Sequence, residues 1–223
     1  MNVKKAAAKT KDYIVSIRRE FHRHPELSLQ EFRTAQRIEE ELDKFGIPHT
    51  RVGETGVLGT LKGAKDNGKV LVLRADIDAL PIEETHECVY RSENAGVMHA
   101  CGHDAHMTVA LAVAQLVKEQ GLPCGRVKLL FQPAEEIGKG ALVLLEAGAL
   151  DDVQYALGYH VMPKDMARSG QIIPQINWTA CTLIEGEIRG LAAHGSQPHL
   201  GINAIDVGAA VVNAVNALHS NPL

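Results

Sequence analysis

Short apolar runs separated by helix-length segments constrain this chain most. KVLVLR (69–74), RVKLLF (126–131) and YALGYH (155–160) read as strands. Residues 105–121 and 139–148 read as the helices between them. Strand, helix, strand, helix, strand predicts an α/β domain of three layers around a mostly parallel sheet. GVLGTLK (56–62) adds a strand, joined to the next by a turn around DNG (66–68). Upstream, Tyr13, Ile14, Ile17 and Phe21 recur at helical spacing within residues 8–23. Ser28 reads as the cap of a second helix carrying Phe32, Ala35, Ile38, Leu42 and Phe45, with Gly46 just past its end. The texture changes after residue 176. Residues 181–189 alternate like a half-exposed strand, and residues 204–218 read as a helix. The expected division is therefore 1–176 and 177–223, the second part being the start of a smaller α+β domain.

Functional groups in open α/β sheets gather at the carboxyl ends of the strands. Here Asp76 and Asp78 follow the first run, and Glu135 and Glu136 follow the second. His160 closes the third, and HACGHDAHM (99–107) stands before the long helix. A zinc-like cation takes thiolate, imidazole or carboxylate and leaves a position open for water when the site is catalytic. Cys101 and His103 can share a metal from a loop. Of two adjacent glutamates, one can bind metal while the other acts as general base. His160 can complete the set, and such a site suggests hydrolysis. Each cluster alone has a plainer reading. His103, Asp104 and His106 could cap the helix, Asp76 and Asp78 could be turn residues, the glutamates a solvated face, and Cys101 a buried apolar group. Cys101 with His103 could also be a nucleophile pair, which leaves the acids idle. The joint pattern favours the metal. His22, His24 and His86 have no comparable context and read as surface or outer supporting groups.

The totals exclude other classes. A net charge of −4 gives no reason to expect nucleic acid or an anionic membrane, and 4% aromatic content offers few stacking platforms. The basic N-terminus lacks the apolar core of a signal peptide, and no apolar run approaches membrane length. Cys88, Cys101, Cys124 and Cys181 form no CxxC pair, so free thiols and a cytoplasmic setting are expected.

Together FHRHPELS, LRADIDALPI, MHACGHDAHM, FQPAEEIGKGA, LGYHVMP and AHGSQPHLGINAI, spanning residues 21–205, resemble the aminoacylase/carboxypeptidase family of dinuclear zinc metallopeptidases. The similarity is to its amidohydrolase branch, which includes hippurate hydrolase and the N-acyl-amino-acid and auxin-conjugate hydrolases. The resemblance implies a metal-dependent amidohydrolase releasing an amino acid and a carboxylate from an N-acyl amino acid. It implies two zinc ions, with manganese, cobalt or nickel as alternatives. It makes Cys101, His103, Glu136 and His160 metal ligands and Glu135 the general base. Asp78 would orient a ligand, with Asp76 assisting, and His194 would donate to the oxyanion from the lid domain, often across a homodimer. His199 would fix the lid loop. Family members are longer: the catalytic domain resumes after the lid and supplies a last histidine ligand, so this chain is expected to stop within the lid. It also departs from the branch at Thr179-Ala180-Cys181 and Asn203-Ala204, which bears on substrate rather than on metal. A dipeptidase or carboxypeptidase of the same fold, and an inactive metal-binding protein acting through dimerisation, are the alternatives.

Overall fold

The computed structural model describes residues 2–174 and 185–218. Its elements are α1 (Val3–Lys9), α2 (Lys11–Arg23), α3 (Phe32–Lys44), β1 (His49–Val52), β2 (Gly56–Lys62), β3 (Lys65–Asp76), α4 (His103–Gln120), β4 (Cys124–Gln132), α5 (Gly140–Glu146), β5 (Tyr155–Gly158) and α6 (Ala204–Asn216). The chain divides into two compact units, Met1–Pro163 and Lys164–Leu223. That division precedes the change of texture at residue 176.

In the first unit five strands form one sheet in the order β1-β2-β4-β3-β5. β3, β4 and β5 run parallel, and β2 is antiparallel to both β1 and β4. Four of the five strands therefore point the same way, with β2 reversed. Asp76 and Gln132 pair at the carboxyl ends of β3 and β4, so the loops after them leave from the same end of the sheet.

Both faces of the sheet are covered. On one face α2 sets Ile17 and Phe21, α3 sets Ala35, Ile38 and Leu42, and α4 sets Met107, Ala110, Leu111 and Ala114 against Val57, Leu61, Leu73, Ala75, Leu129 and Phe131. The helical spacings of three and four place each set on one side of its helix. On the other face Val72 and Leu130 meet Val52, Leu144 of α5 and Ala149. Alternate residues of β3 and β4 thus face opposite layers, which gives the three-layer arrangement.

Local details differ from expectation in five places. The N-terminal amphipathic stretch is two helices, broken at Thr10, whose hydroxyl donates to the Ala7 carbonyl at 2.9 Å. α3 begins at Phe32 with Glu31 at its N-cap, and Ser28 bonds elsewhere. DNG lies inside β3 as an irregularity between Lys65 and Val70, where Asp66 and Asn67 side chains accept from the Gly68 and Lys69 amides. β1, HTRV, is too short and mixed to show a period. In the second unit Leu191 bridges Ile202, and the Asn203 side chain caps α6 by accepting the Ile205 N–H at 3.0 Å. Residues 185–189 form no strand, and 181–184 of that expected strand lie outside the described residues.

The core makes a direct prediction. Leu111, fully buried, loses about 2–5 kcal/mol of stability on truncation to alanine. Leu145, 53% exposed, loses less than about 0.5 kcal/mol. Urea unfolding of the two variants measures both.

Candidate metal centre

β3 delivers Asp76 at its last position and Asp78 two residues on. α4 delivers His103 as its first residue, because Gly102 before it adopts φ +93°, a left-handed conformation natural to glycine. A Cβ at Gly102 would also collide with the Val161 side chain. The loop after β4 carries Glu135 and Glu136, and His160 follows β5.

These groups converge on His103, which is fully buried. Its Nδ1 meets the Asp78 backbone carbonyl at 2.9 Å and Asp78 Oδ1 at 3.2 Å. Both partners accept, so Nδ1 carries the proton and Nε2 is turned to the other side. There Nε2 faces Asp76 Oδ2 at 3.6 Å, Glu136 Oε1 at 3.7 Å and Glu135 Oε2 at 3.8 Å. Nε2 of His103 and Oε1 of Glu136 are both buried without a hydrogen-bond partner among the described residues. Buried polar atoms are seldom left so unless something else binds them. Cys101 Sγ lies 3.4 Å from His160 Nε2. His160 Nδ1 donates to the Val161 carbonyl at 2.6 Å, which turns Nε2 towards the thiol. Two donor groups, Cys101–His103–His160 and His103–Glu135–Glu136, are each close enough to surround one cation, and they share His103. Thiolate, imidazole and carboxylate are zinc's donor set.

The electrostatics suit positive charge. The neighbouring His103 and His160 imidazoles hold the Cys101 thiol below its ordinary pKa, against the opposing effect of burial. Burial pulls His103 down, but the hydrogen bond to Asp78 and the neighbouring Cys101 and Asp76 outweigh it and lift the imidazole to about 11. Burial pushes Asp76 up, yet the hydrogen bond from His106 and the charges of His103 and Arg74 bring it to about 2. Burial, with the neighbouring Glu135 and Asp78, raises Glu136 despite His103. Acidic groups thus surround the His103 imidazole.

His106 is not available as a ligand. Its Nε2 accepts the Val161 N–H at 3.0 Å, and its Nδ1 is bonded to Asp76 Oδ1. His194, in the second unit, is exposed, and its Nδ1 accepts from the Ser196 backbone N–H at 3.2 Å. His199 lies in the short helical turn Pro198–Leu200.

Two supporting groups, Ser28 and Arg18, escaped the sequence reading, and His22 takes the outer of the two places expected for it. Ser28 donates its hydroxyl to Asp78 Oδ2 at 2.7 Å. His22, expected at the surface or in an outer role, is buried between two carboxylates. Its Nδ1 meets Asp104 Oδ2 at 2.6 Å and its Nε2 meets Glu84 Oε1 at 3.1 Å. Arg18 Nε adds a 2.9 Å contact to Asp104, so α2 is fastened to the first turn of α4 beside His103. FHRHPELS was visible as a motif, but nothing in it names a partner 82 residues away. His99 is buried, and desolvation pulls it down to about 4, so it is neutral.

Residues 72–220 match the family described as Peptidase family M20/M25/M40, and the chain belongs to that family. It is 41% identical to thermostable carboxypeptidase 2 of Saccharolobus solfataricus over 92% of this chain and 53% of that protein. It is 39% identical to N-acetyl-L-cysteine deacetylase of Bacillus subtilis over 94% of this chain and 51% of that protein. Among solved structures it resembles a dinuclear metal-binding peptidase from Bacillus subtilis, with TM-score 0.66 and 42% identity over 68% of this chain and 43% of that one. The chain spans about half the length of the curated relatives it matches. Among the described residues no helix is long and apolar enough to cross a membrane.

Two variants probe the centre. Asp78→Asn keeps the shape but removes the carboxylate charge beside His103, and any affinity of the centre for a divalent cation is expected to fall about 10–100-fold in a chelator competition assay. For His22, burial lowers the pKa, but the hydrogen bonds to Asp104 and Glu84 outweigh it, so its folded value is raised. A raised imidazole contributes stability fully below its unfolded value near 6.5 and loses that contribution as pH rises through the folded value. His22→Gln therefore costs more stability in urea at acidic pH than at alkaline pH; a gap independent of pH contradicts this sign.

Proposed function

We propose that this chain carries the metal centre of an amidohydrolase that cleaves N-acyl amino acids. The observation that carries the reading is the pair of adjacent glutamates facing His103 Nε2. Glu136 is the more buried and ends in an unpartnered oxygen, whereas Glu135 is 38% exposed in its side chain. A buried carboxylate beside an imidazole suits a ligand, and an open one suits proton transfer with a substrate.

Cys101, His103, Glu136 and His160 would hold the metal, as one or two zinc ions, with manganese, cobalt or nickel also compatible with the donors. When bound, the metal polarises the amide carbonyl and makes water more acidic. Glu135 takes the proton from the attacking water and returns it to the leaving amine. Asp78 keeps His103 in the tautomer that turns Nε2 inward. His194 donates to the oxyanion, supplied from the lid domain of residues 177–223 through a homodimer. The deacetylase relative supports the N-acyl amino acid as substrate. The carboxypeptidase relative makes a C-terminal peptide bond the second reading. A cytoplasmic location accords with the free thiols at Cys88, Cys101 and Cys124.

The test is hydrolysis of N-acetyl amino acids, N-benzoyl amino acids and dipeptides by the zinc-loaded protein. Turnover of the N-acyl substrates is expected, abolished by chelator and restored by metal. Glu135→Gln lowers kcat by about 10²–10⁴-fold while zinc content is unchanged. Preference for dipeptides establishes the second reading, and activity that survives chelation defeats both.

A further inference from the structure

Glu31 belongs to neither donor group, yet it is fully buried. Among the described residues no cation lies within ion-pair distance of its carboxylate. Its Oε1 accepts the backbone N–H of Ala134 at 2.8 Å, across 103 positions of sequence. Its Oε2 accepts the Thr55 hydroxyl at 2.7 Å, and Thr55 is buried too. A buried carboxylate is costly unless its oxygens are bonded, and here the main-chain bond it makes is to the residue just before Glu135.

Ala134 is an unusual residue to find in its conformation. Its φ is +48°, in the left-handed region that strains a residue with a Cβ, and its side chain is fully buried. The chain reverses there as it leaves β4. The Ala134 carbonyl accepts from the Lys139 and Gly140 amides at 3.1 and 3.0 Å, closing a tight loop around the two glutamates. Gly140 cannot take a Cβ, because the Pro133 carbonyl occupies that position. Beyond the turn, the Glu136 amide donates to Asp78 Oδ2 at 3.0 Å. The loop is thus fixed at its far end and at Glu136, and Glu31 fixes its start.

We propose that Glu31 is a positioning residue: its buried carboxylate locks Ala134 in the left-handed turn and so aims Glu135 and Glu136 at the metal centre. The proposal rests on the reading of these glutamates as metal-site carboxylates. It identifies a role for the second acid of the ELSLQE stretch, which touches neither His103 nor Cys101.

Two readouts test it on the whole chain: hydrogen exchange at the Ala134 amide without metal, and zinc affinity by chelator competition. Glu31→Ala is expected to speed exchange at Ala134 by about tenfold or more and to weaken zinc binding about 10–100-fold. Glu31→Gln can still accept from Ala134 while its amide donates to the Thr55 oxygen, so it stays within about threefold of wild type in affinity. Adding Ala134→Gly to Glu31→Ala restores much of the zinc affinity, since glycine takes positive φ without strain. Should Glu31→Ala fail to fold, Thr55→Val, which removes only the bond orienting the carboxylate, is expected to show the same changes in smaller measure. Wild-type exchange and zinc affinity in the alanine variant, or in Thr55→Val where that variant takes its place, overturn the proposal. So does a loss in Glu31→Gln as large as in Glu31→Ala. A wild-type chain that binds no zinc defeats the metal reading instead, and exchange at Ala134 then decides the role of Glu31.

Discussion

One carboxylate holds the site together. Asp78 receives His103 Nδ1 on Oδ1, and the Ser28 hydroxyl and the Glu136 amide on Oδ2. Those partners come from the start of α4, the loop before α3 and the loop after β4. They have no covalent reason to meet. A single buried anion with three donors ties all three together, and with the Asp78 backbone carbonyl it settles which nitrogen of His103 faces Glu136. Without the carboxylate, only the Asp78 backbone carbonyl would hold the Nδ1 proton of His103, and the links to Ser28 and Glu136 would be lost.

The sheet makes that meeting possible. Parallel strands place their carboxyl ends together, so β3 and β4 release Asp78 and the two glutamates from neighbouring positions. α4 crosses back with its first turn at the same end, and Gly102 permits the sharp entry that presents His103. The surrounding charges form nested layers. His103 is held by acids, and His106, bonded to Asp76 and to the Val161 amide, steadies one of them. Behind these, Arg18 and His22 neutralise Asp104 at the next position of the helix. The buried charges of Asp78 and Asp104 are tolerated because each has a partner or a hydrogen-bond donor.

Much of this was legible in the sequence, and the reason is periodicity. β2, the core of β4 and the extent of α4 follow from apolar spacing; Asp76, Asp78, Glu135, Glu136 and His160 follow from their places after strands, Cys101 and His103 from the run before α4, and the choice of ligands among them from the family resemblance. What stayed hidden depends on contacts between distant residues. Ser28 has the side chain of a helix cap, and nothing local reveals that it serves Asp78 instead. His22 reads as a surface or an outer supporting group, and only the fold shows Asp104 and Glu84 closing around it. Glu31 reads as one acid among several at a helix start, whereas its role is written in the φ of Ala134. β1 is four residues long, below the length at which any period shows, and DNG carries turn chemistry that the sheet absorbs as an irregular strand.

The central claim is that Cys101 and His103 share one cation. Cobalt(II) titration tests it most directly, because a thiolate bound to cobalt gives an intense near-ultraviolet charge-transfer band. The band is expected in the wild-type chain at stoichiometric cobalt, absent in Cys101→Ser and weakened in His103→Ala. A band of undiminished intensity in Cys101→Ser would show that cobalt binds a different thiol and would contradict the centre described here.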